Sequence, residues 1–574
     1  MRNLRRLVAA TLAGLAALFA WVWLTLPPRT QAVDLGGWPP DTSPPTARGV
    51  FHVHSDRSDG SASVDDIAAA AARAGLEFVI FTDHGDGTRT PDPPVYRAGV
   101  LCIDAVEIST SGGHYIALGL PASPYPLAGE ALEVVEDVRR LGGFGIVAHP
   151  ASAKADLQWK DFGLEYDGIE WLNADSQWRD ESSRAIGAAA LRYMLRPSEA
   201  LAALLDRPDH ALAQWDHSTR RRQVVGLAGA DAHAHLASVG RGRDAGGTAF
   251  AFPGYEPVFR AFSNNVALAR PLGGEKWAAQ DAALLLAGIR AGRVFTTIDM
   301  VAAPARFSFE GRIDDASYPM GARLQTAQPV ALAVRAQGPP GARIVLLADG
   351  NRVATVEGEA LNFIATSPAA YRVEVLVPGA PGTPAIPWIV SNPIYIGNGA
   401  SEIPPPPPSI VSSRDLNPDF DFDMDIETGA WVLEHDARST ASVEHLVDRV
   451  LFDYALLGPP PTAAAIVYYL GDENRAALDR FIFDVRADRP TRASVQLKMN
   501  DETGESRWRR SFYADEATTT VEMRFADLLP VTPGMPAPDF ARATSLLIVV
   551  DALQTPLGLP SRLAIISPRL AGNR

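Results

Sequence analysis

Val50-Phe51-His52-Val53-His54-Ser55-Asp56-Arg57-Ser58-Asp59-Gly60 reads as a short β-strand running straight into a polar turn. Residues two apart on a strand share a face. His52 and His54 are therefore expected to project together, with Phe51 and Val53 on the opposite side. Two imidazoles at a strand end, with Asp59 five residues on, make half of a metal site. An isolated His-x-His is mostly a surface or hydrogen-bonded pair, but this one recurs in kind. Phe78 to Asp83 is an apolar strand-type run that ends at His84, and the run from Val100 ends at Glu107. Gly145 to Ala148 leads into His149, and Val224 to Ala230 leads into Asp231 and His233. The chain has 11 histidines, and chance does not readily put five of them at the ends of buried-type strands.

The rest of the chain sets the frame. Its 574 residues suggest two to four domains, and 47% hydrophobic residues supply large cores. A net charge of −15 argues against a nucleic-acid binder, which would carry a basic stripe. It leaves a phosphorylated substrate open, because bound metal ions reverse the local field. Cys102, the only cysteine, permits no internal disulfide and reads as core packing.

Residues 1–32 read as a signal anchor or signal peptide. Arg2, Arg5 and Arg6 precede the charge-free run Leu7 to Leu26, which is long enough to span a bilayer. Thr30-Gln31-Ala32 is a poor cleavage site, so an uncleaved anchor is favoured, with the bulk of the chain outside the cytoplasm in the cell envelope. Residues 33–47 read as a linker. From 48 to 300 strand and helix patterns alternate, which implies a parallel sheet. Ligands at the C-terminal strand ends are where barrel enzymes keep their chemistry. Residues 301–400 turn to short strands, with Asp349-Gly350-Asn351 as a hairpin, and suggest an immunoglobulin-like sandwich. Residues 401–414, with Pro404 to Pro408, form a stiff spacer, and 415–574 suggest a jelly-roll-like β domain of carbohydrate-binding type. Asp415, Asp419, Asp421, Asp423 and Asp425 at its start read as a solvated acidic linker or, less readily, a calcium site.

The motifs His52-Val53-His54-Ser55 with Ser58-Asp59-Gly60, Thr82-Asp83-His84, Glu107 with Gly113-His114, Ala148-His149-Pro150 and Asp231-Ala232-His233 together resemble the PHP (polymerase and histidinol phosphatase) family of metal-dependent phosphoesterases. They occur in that family's order over about residues 48–300, and look most like an exported or membrane-anchored branch that includes a carbamate hydrolase. The resemblance implies a distorted seven-stranded (βα) TIM-like barrel and up to three divalent ions. It would put one ion on His52, His54, Glu107 and Asp231, a second on Glu107, His114 and His149, and a third on Asp59, His84 and His233. Asp59 stands where some relatives have histidine. Imidazole and carboxylate donors suit zinc, manganese or iron. Neighbouring ions make hydroxide available at neutral pH and clamp the oxygens of a phosphate, so no side-chain nucleophile is needed. Arg57, Arg179 and Arg241 are candidate substrate anchors, since arginine matches phosphate bidentately. Trp171 and Trp178 are candidates for a pocket wall, with core packing as the stronger reading. The expectation is an envelope-anchored hydrolase of phosphoesters, with carboxylic or carbamate ester hydrolysis and a non-catalytic binding protein as rivals, and a glycan as a possible partner of the last domain.

Overall fold

The computed structural model describes residues 2–36, 44–234, 253–397, 422–471, 475, 477–501, 504–532 and 534–572. Pro404 to Pro408, Asp415, Asp419 and Asp421 lie outside the described residues. The chain divides into two compact units: Met1–Gly85, Thr90–Pro121 and Glu130–Ser401 form one, and Asp86–Arg89, Ala122–Gly129 and Glu402–Arg574 form the other.

The first unit opens with helix α1 (Arg2–Leu24), apolar and exposed along nearly its whole length. Strand β1 (Gln31–Ala32) follows and pairs in parallel with Ala302–Ala303, so the segment after α1 is tied down rather than free. A closed sheet then forms from β2 (Thr46–Val53), β3 (Phe78–Phe81), β4 (Val95–Arg97), β5 (Val100–Asp104), β6 (Val106–Thr110), β7 (Gly113–Leu118), β8 (Phe144–Val147), β9 (Gly168–Asn173) and β10 (Val225–Ala232). Strands β2–β3, β3–β5, β8–β9, β9–β10 and β10–β2 pair in parallel, and the last pairing closes the ring.

The expected repetition of βα units is interrupted: among the described residues no helix lies between β3 and β7, and β4 pairs antiparallel with β5. Strand β7 runs antiparallel to both β6 and β8. The Ser111-Gly112 turn sends the chain straight back beside β6, and no crossover helix can fit in so short a connection. The result is a closed mixed sheet and not an all-parallel TIM barrel.

Helices cover the sheet where the capping signals place them. Helix α2 (Val64–Arg73) starts at Ser63, whose hydroxyl accepts from the Asp66 N–H at 3.2 Å. Helix α3 (Ala131–Arg140) starts at Glu130, which forms a reciprocal capping pair with Glu133. Helix α4 (Ala174–Arg179) precedes a helical stretch that Pro197 and Pro208 break into α5 (Ser183–Tyr193), α6 (Pro197–Ala202) and α7 (Asp209–Thr219). Beyond them lie α8 (Tyr255–Phe259) and α9 (Ala278–Arg290).

The sheet does not stop at residue 300. Strand β11 (Ser263–Ala267) pairs antiparallel with β2 and with β12 (Val294–Thr297), and β12 pairs with Ile389–Ser391. Hydrogen bonding therefore continues from the barrel into strands Ala369–Leu376, Arg343–Ala348 and Asn351–Glu357, with a separate four-stranded sheet centred on Arg306–Ile313 and Val330–Gln337. Asp349 (φ 49) and Gly350 (φ 80) form the two-residue turn between Ala348 and Asn351, the left-handed pair that such a hairpin demands. Arg372 on this sheet is buried and makes a bidentate pair with Asp216 of α7 at 2.6 and 2.8 Å and a further bond to Glu374 at 2.7 Å.

Among the described residues, the second unit contains two antiparallel sheets, each of six strands, that share one core including Trp431, Phe481, Val495, Leu546 and Leu563. Asp423 and Asp425 belong to its strand Phe422–Asp425, paired with Ser561–Gly572.

Candidate metal centre

The nine residues named as ligands from the sequence come together at one end of the closed sheet. Glu107 lies at the middle. Its Oε2 is 3.2 Å from His52 Nε2, 3.2 Å from His54 Nε2 and 3.4 Å from His84 Nδ1. Its Oε1 is 2.8 Å from His114 Nδ1 and 2.9 Å from His149 Nε2. Asp231 Oδ1 adds a carboxylate 3.3 Å from His52 Nε2 and 3.4 Å from His54 Nε2. On the outer side, Asp59 lies 3.4 Å from His54 Nδ1, 3.4 Å from His233 Nε2 and 3.6 Å from His84 Nε2. The donor atoms form overlapping groups able to hold an ion: His54, Asp59, His84 and His233; His52, His54 and Glu107; His52, His149 and Asp231; and His84, Glu107 and His114.

The local backbone that achieves this is not a plain strand end. His52 (φ 66), His149 (φ 30) and Asp231 (φ 45) all occupy the left-handed region. The pairing register of β2 shifts between Phe51 and Val53, and that of β10 between Gly229 and Ala232. His52 and His54 converge, with ring centroids 5.1 Å apart, but through a bulge at His52 and not by simple alternation. Phe51 and Val53 are both buried. Left-handed non-glycine residues cost on the order of 1–3 kcal/mol each and cluster at functional sites.

Hydrogen bonding fixes the imidazoles for ligation. The His149 Nδ1–H donates to the Leu157 carbonyl at 3.0 Å, and the His233 Nδ1–H to the Asp231 carbonyl at 2.9 Å. A carbonyl only accepts, so in both residues Nε2 is the nitrogen left for the cluster. His52 Nδ1 is 2.6 Å from Glu170 Oε1, a carboxylate–imidazole pair that aims Nε2 at Glu107. His54 Nε2 is buried and has no hydrogen-bond partner among the described residues. Donors 2.0–2.1 Å from a tetrahedral ion would be about 3.3 Å apart. The separations of 3.2–3.4 Å among His52, His54, Glu107 and Asp231 match that. The residues therefore fit a divalent ion.

Glu170 is absent from the ligand set read in the sequence, where it lies inside an apolar strand run. It is fully buried, and its Oε2 also accepts from the His149 backbone N–H at 2.6 Å and from Asn173 Nδ2 at 2.8 Å. A Cβ on Gly229 would stand 1.7 Å from Glu170 Oε1, so only glycine leaves room for this carboxylate. The readable signal was a charged residue inside the apolar run 169–172, which must find a partner once buried. Asp83 holds the first loop by accepting from the Ser55 N–H at 2.7 Å and from the Ser55 and Ser58 hydroxyls, both at 2.7 Å. Glu170→Ala is expected to lower metal affinity about 10- to 100-fold while the fold persists, the usual cost of losing a carboxylate behind a metal-bound imidazole. Titration of the purified variant with zinc checks this, and unchanged affinity would remove Glu170 from the site.

Burial works against charge on His52, His54 and His149, but the facing carboxylates prevail, lifting His52 and His149 and raising His54 from 6.5 to about 9. Burial likewise opposes ionisation of Glu107, Asp231 and Asp59, yet the imidazoles hold all three below the usual carboxylate range. These directions fix the pH dependence. Without metal, the proton-loaded histidine stabilises the fold fully below 6.5, and that contribution is lost as pH rises through about 9. The depressed carboxylates contribute above their ordinary values and lose their effect in acid. Metal must displace the histidine protons, so uptake is expected to release protons and to tighten as pH rises from 6.5 towards 9. Proton release in weak buffer during zinc titration measures it, and pH-independent affinity would contradict it.

Beside the cluster lies a cavity of about 370 Å³, lined by Asp59, Asp231 and His233, by Lys154, Asp175 and Arg179, and by apolar residues that include Trp178, Ile186 and Leu201. Arg179 reaches the cavity but pairs with Asp175. Arg57 pairs with Asp92 and lies 3.8 Å from Asp104, outside this lining. Arg241 lies outside the described residues. Trp171 is core, its Nε1–H donating to Thr296 Oγ1 at 3.1 Å, whereas Trp178 lines the cavity.

No protein-family model and no curated protein matches the chain. Among solved structures, the chain is similar to a two-domain protein from Bacteroides vulgatus containing a predicted PHP-like metal-dependent phosphoesterase, at 13% identity and TM-score 0.29 over 61% of this chain and 94% of that one. It is also similar to a family 11 carbohydrate-binding module from Clostridium thermocellum, at 13% identity and TM-score 0.23 over 26% of this chain and 96% of the module. Likeness this distant carries no functional weight, which rests instead on the side chains of the cluster.

Proposed function

We propose that this chain is a metal-dependent hydrolase of phosphate esters, held at the cell envelope by α1. The observation that supports it is the arrangement around Glu107: one buried carboxylate faced by five imidazoles, with the His149 and His233 tautomers set by carbonyls so that Nε2 is left for ligation. When bound, divalent ions would supply Lewis acidity to the ester oxygens and activate water. His52, His54, Glu107 and Asp231 would hold one ion, Glu107 with His114 and His149 another, and Asp59 with His84 and His233 a third. Glu170 and Asn173 keep His52, His149 and Asp231 in place. Lys154 at the cavity offers positive charge to the anionic ester, while the Arg179 charge is offset by Asp175. The apolar wall limits the water that reaches the reacting group.

The anchoring rests on α1, 23 residues long, largely apolar and exposed, with Arg2, Arg5 and Arg6 in its first turns favouring the cytoplasmic side for that end. The deciding experiment is elemental analysis of the purified full-length chain, with the same sample assayed on an aryl phosphate, a phosphodiester and a carboxyl ester. Two or three ions with phosphate-ester turnover support the reading. Turnover of the carboxyl ester alone would replace it with the rival esterase, and absence of both ions and turnover would leave a binding protein.

A further inference from the structure

The helical wall of the cavity also meets α1. Ile186 of α5 and Leu201 of α6 line the cavity. At the other end of α5 the Arg192 guanidinium lies over the Trp21 ring, 5.4 Å from its centroid, and Arg192 Nε donates to Thr25 Oγ1 at 3.3 Å. Arg196 donates to the Pro27 carbonyl. Residues 192–196 thus stand at the depth of residues 21–27. In a span that begins after basic residues and ends at Pro27, that depth is the membrane–water boundary, where tryptophan and outward-reaching arginine are favoured.

The unit cannot swing away from that depth. Gln31 N–H donates to the Val301 carbonyl at 3.1 Å and Val33 N–H to the Ala303 carbonyl at 3.0 Å, a few residues past the end of α1. At the same level Leu191, Met194 and Leu195 are 41%, 73% and 43% exposed. Leu191 stands in the last turn of α5, and Met194 and Leu195 stand in the turn that follows it, so the three cluster at that end of the helix. An exposed apolar patch flanked by arginines and continuous with an apolar span is suited to a lipid interface.

We propose that residues 191–196 enter the membrane interface beside α1, and that the cavity behind the same helix takes phosphate esters of apolar alcohols dissolved in that membrane. The substrate half rests on the phosphoesterase reading above. The cavity is two-sided, with Asp59, His233 and Lys154 on its polar part and Trp178, Ile186 and Leu201 on its apolar part, as an amphiphile requires. The Trp178 indole N–H is buried without a partner among the described residues and is an available donor to an ester oxygen. The reaction needs only water: its oxygen bonds to phosphorus, the phosphorus–alcohol oxygen bond breaks, and the alcohol departs with a proton from the water.

The test uses the full-length chain with its metal restored, in phosphatidylcholine–phosphatidylglycerol vesicles, assayed on a soluble aryl phosphate and on hexadecyl phosphate embedded in the same vesicles. The variant combines Leu191→Ser, Met194→Glu and Leu195→Ser. Its aryl phosphate rate is expected to hold within about twofold, while its hexadecyl phosphate rate falls about tenfold or more, because an apolar interfacial contact is lost. Equal effects on both substrates would overturn the proposal. A separate readout does not depend on turnover: a fluorophore on Met194→Cys, with Cys102 buried, should be quenched by nitroxide lipids. An unquenched label overturns the membrane contact. Quenching without turnover of either phosphate would instead overturn the phosphoesterase reading, and with it the substrate half.

Discussion

Glu107→Gln is expected to abolish turnover of an aryl phosphate, by roughly 10³-fold or more, with loss of bound metal and little change in folding. Glutamine keeps the shape and removes the charge. In the native site that charge faces His52, His54 and His84 through Oε2 and His114 and His149 through Oε1. No other residue among those described touches both sides of the cluster in this way. The metal-assisted part of such catalysis amounts to several kcal/mol, and each 1.36 kcal/mol is tenfold in rate. The isosteric change also frees the cluster from its strongest demand for cations, so the variant should remain folded without metal. Elemental analysis, circular dichroism and kcat on one preparation check all three. A variant that retains metal and rate would end the metal-centre reading.

Asp216→Ala is expected to destabilise the first unit by about 3–5 kcal/mol, because it removes the bidentate partner of a buried guanidinium and leaves it only Glu374, which Arg207 also uses. Arg372 is 1% exposed and takes both oxygens of Asp216, while Glu374 is shared between Arg372 and Arg207. The Arg372 guanidinium lies 5.4 Å from the Trp215 ring centroid as well, so water cannot easily replace the carboxylate. These groups join α7 to strand Ala369–Leu376, and so join the helical stretch near the cavity to the β-rich stretch after residue 300. Thermal unfolding should show an earlier transition of the first unit, while the double variant Asp216→Leu with Arg372→Met should recover much of the loss. An unchanged melting temperature in the single variant would show that the pair is not needed.

Most of the candidate ligands were legible because they stand at or just past the end of an apolar run, a pattern visible without knowing the pairing; Asp59 was read from the turn after His54, and His114 from the family resemblance. The mechanism of convergence was not legible. Alternation places His52 and His54 on one face, whereas the structure uses a left-handed residue and a register shift at His52. Nothing in the residue types of 50–54 announces a bulge, since it arises from pairing β2 with two parallel neighbours at once. Strand β7 was hidden for a different reason. Ser111-Gly112-Gly113 reads as a loop passing the cluster, although the same residues also make a tight reversal. Glu170 was hidden because the alternative to a functional role, a strand residue facing solvent, is much the commoner fate of glutamate. Its burial depends on Gly229, 59 positions away and chosen for having no side chain.

The sharing of Glu107 has a consequence for how the protein fills with metal. A carboxylate bears one unit of charge, however many cations approach its two oxygens. In the proposed centre a first cation would meet Oε2 with His52, His54 and a second carboxylate, Asp231, close by. A second would have to use Oε1 with His114 and His149 and would find the charge already partly neutralised. If the proposed centre takes more than one ion, successive ions would bind with falling affinity, and a stepwise curve would replace the single isotherm of independent sites. Under that proposal a scarce metal supply would leave a one-ion species, and the number of ions carried would become a readout of supply.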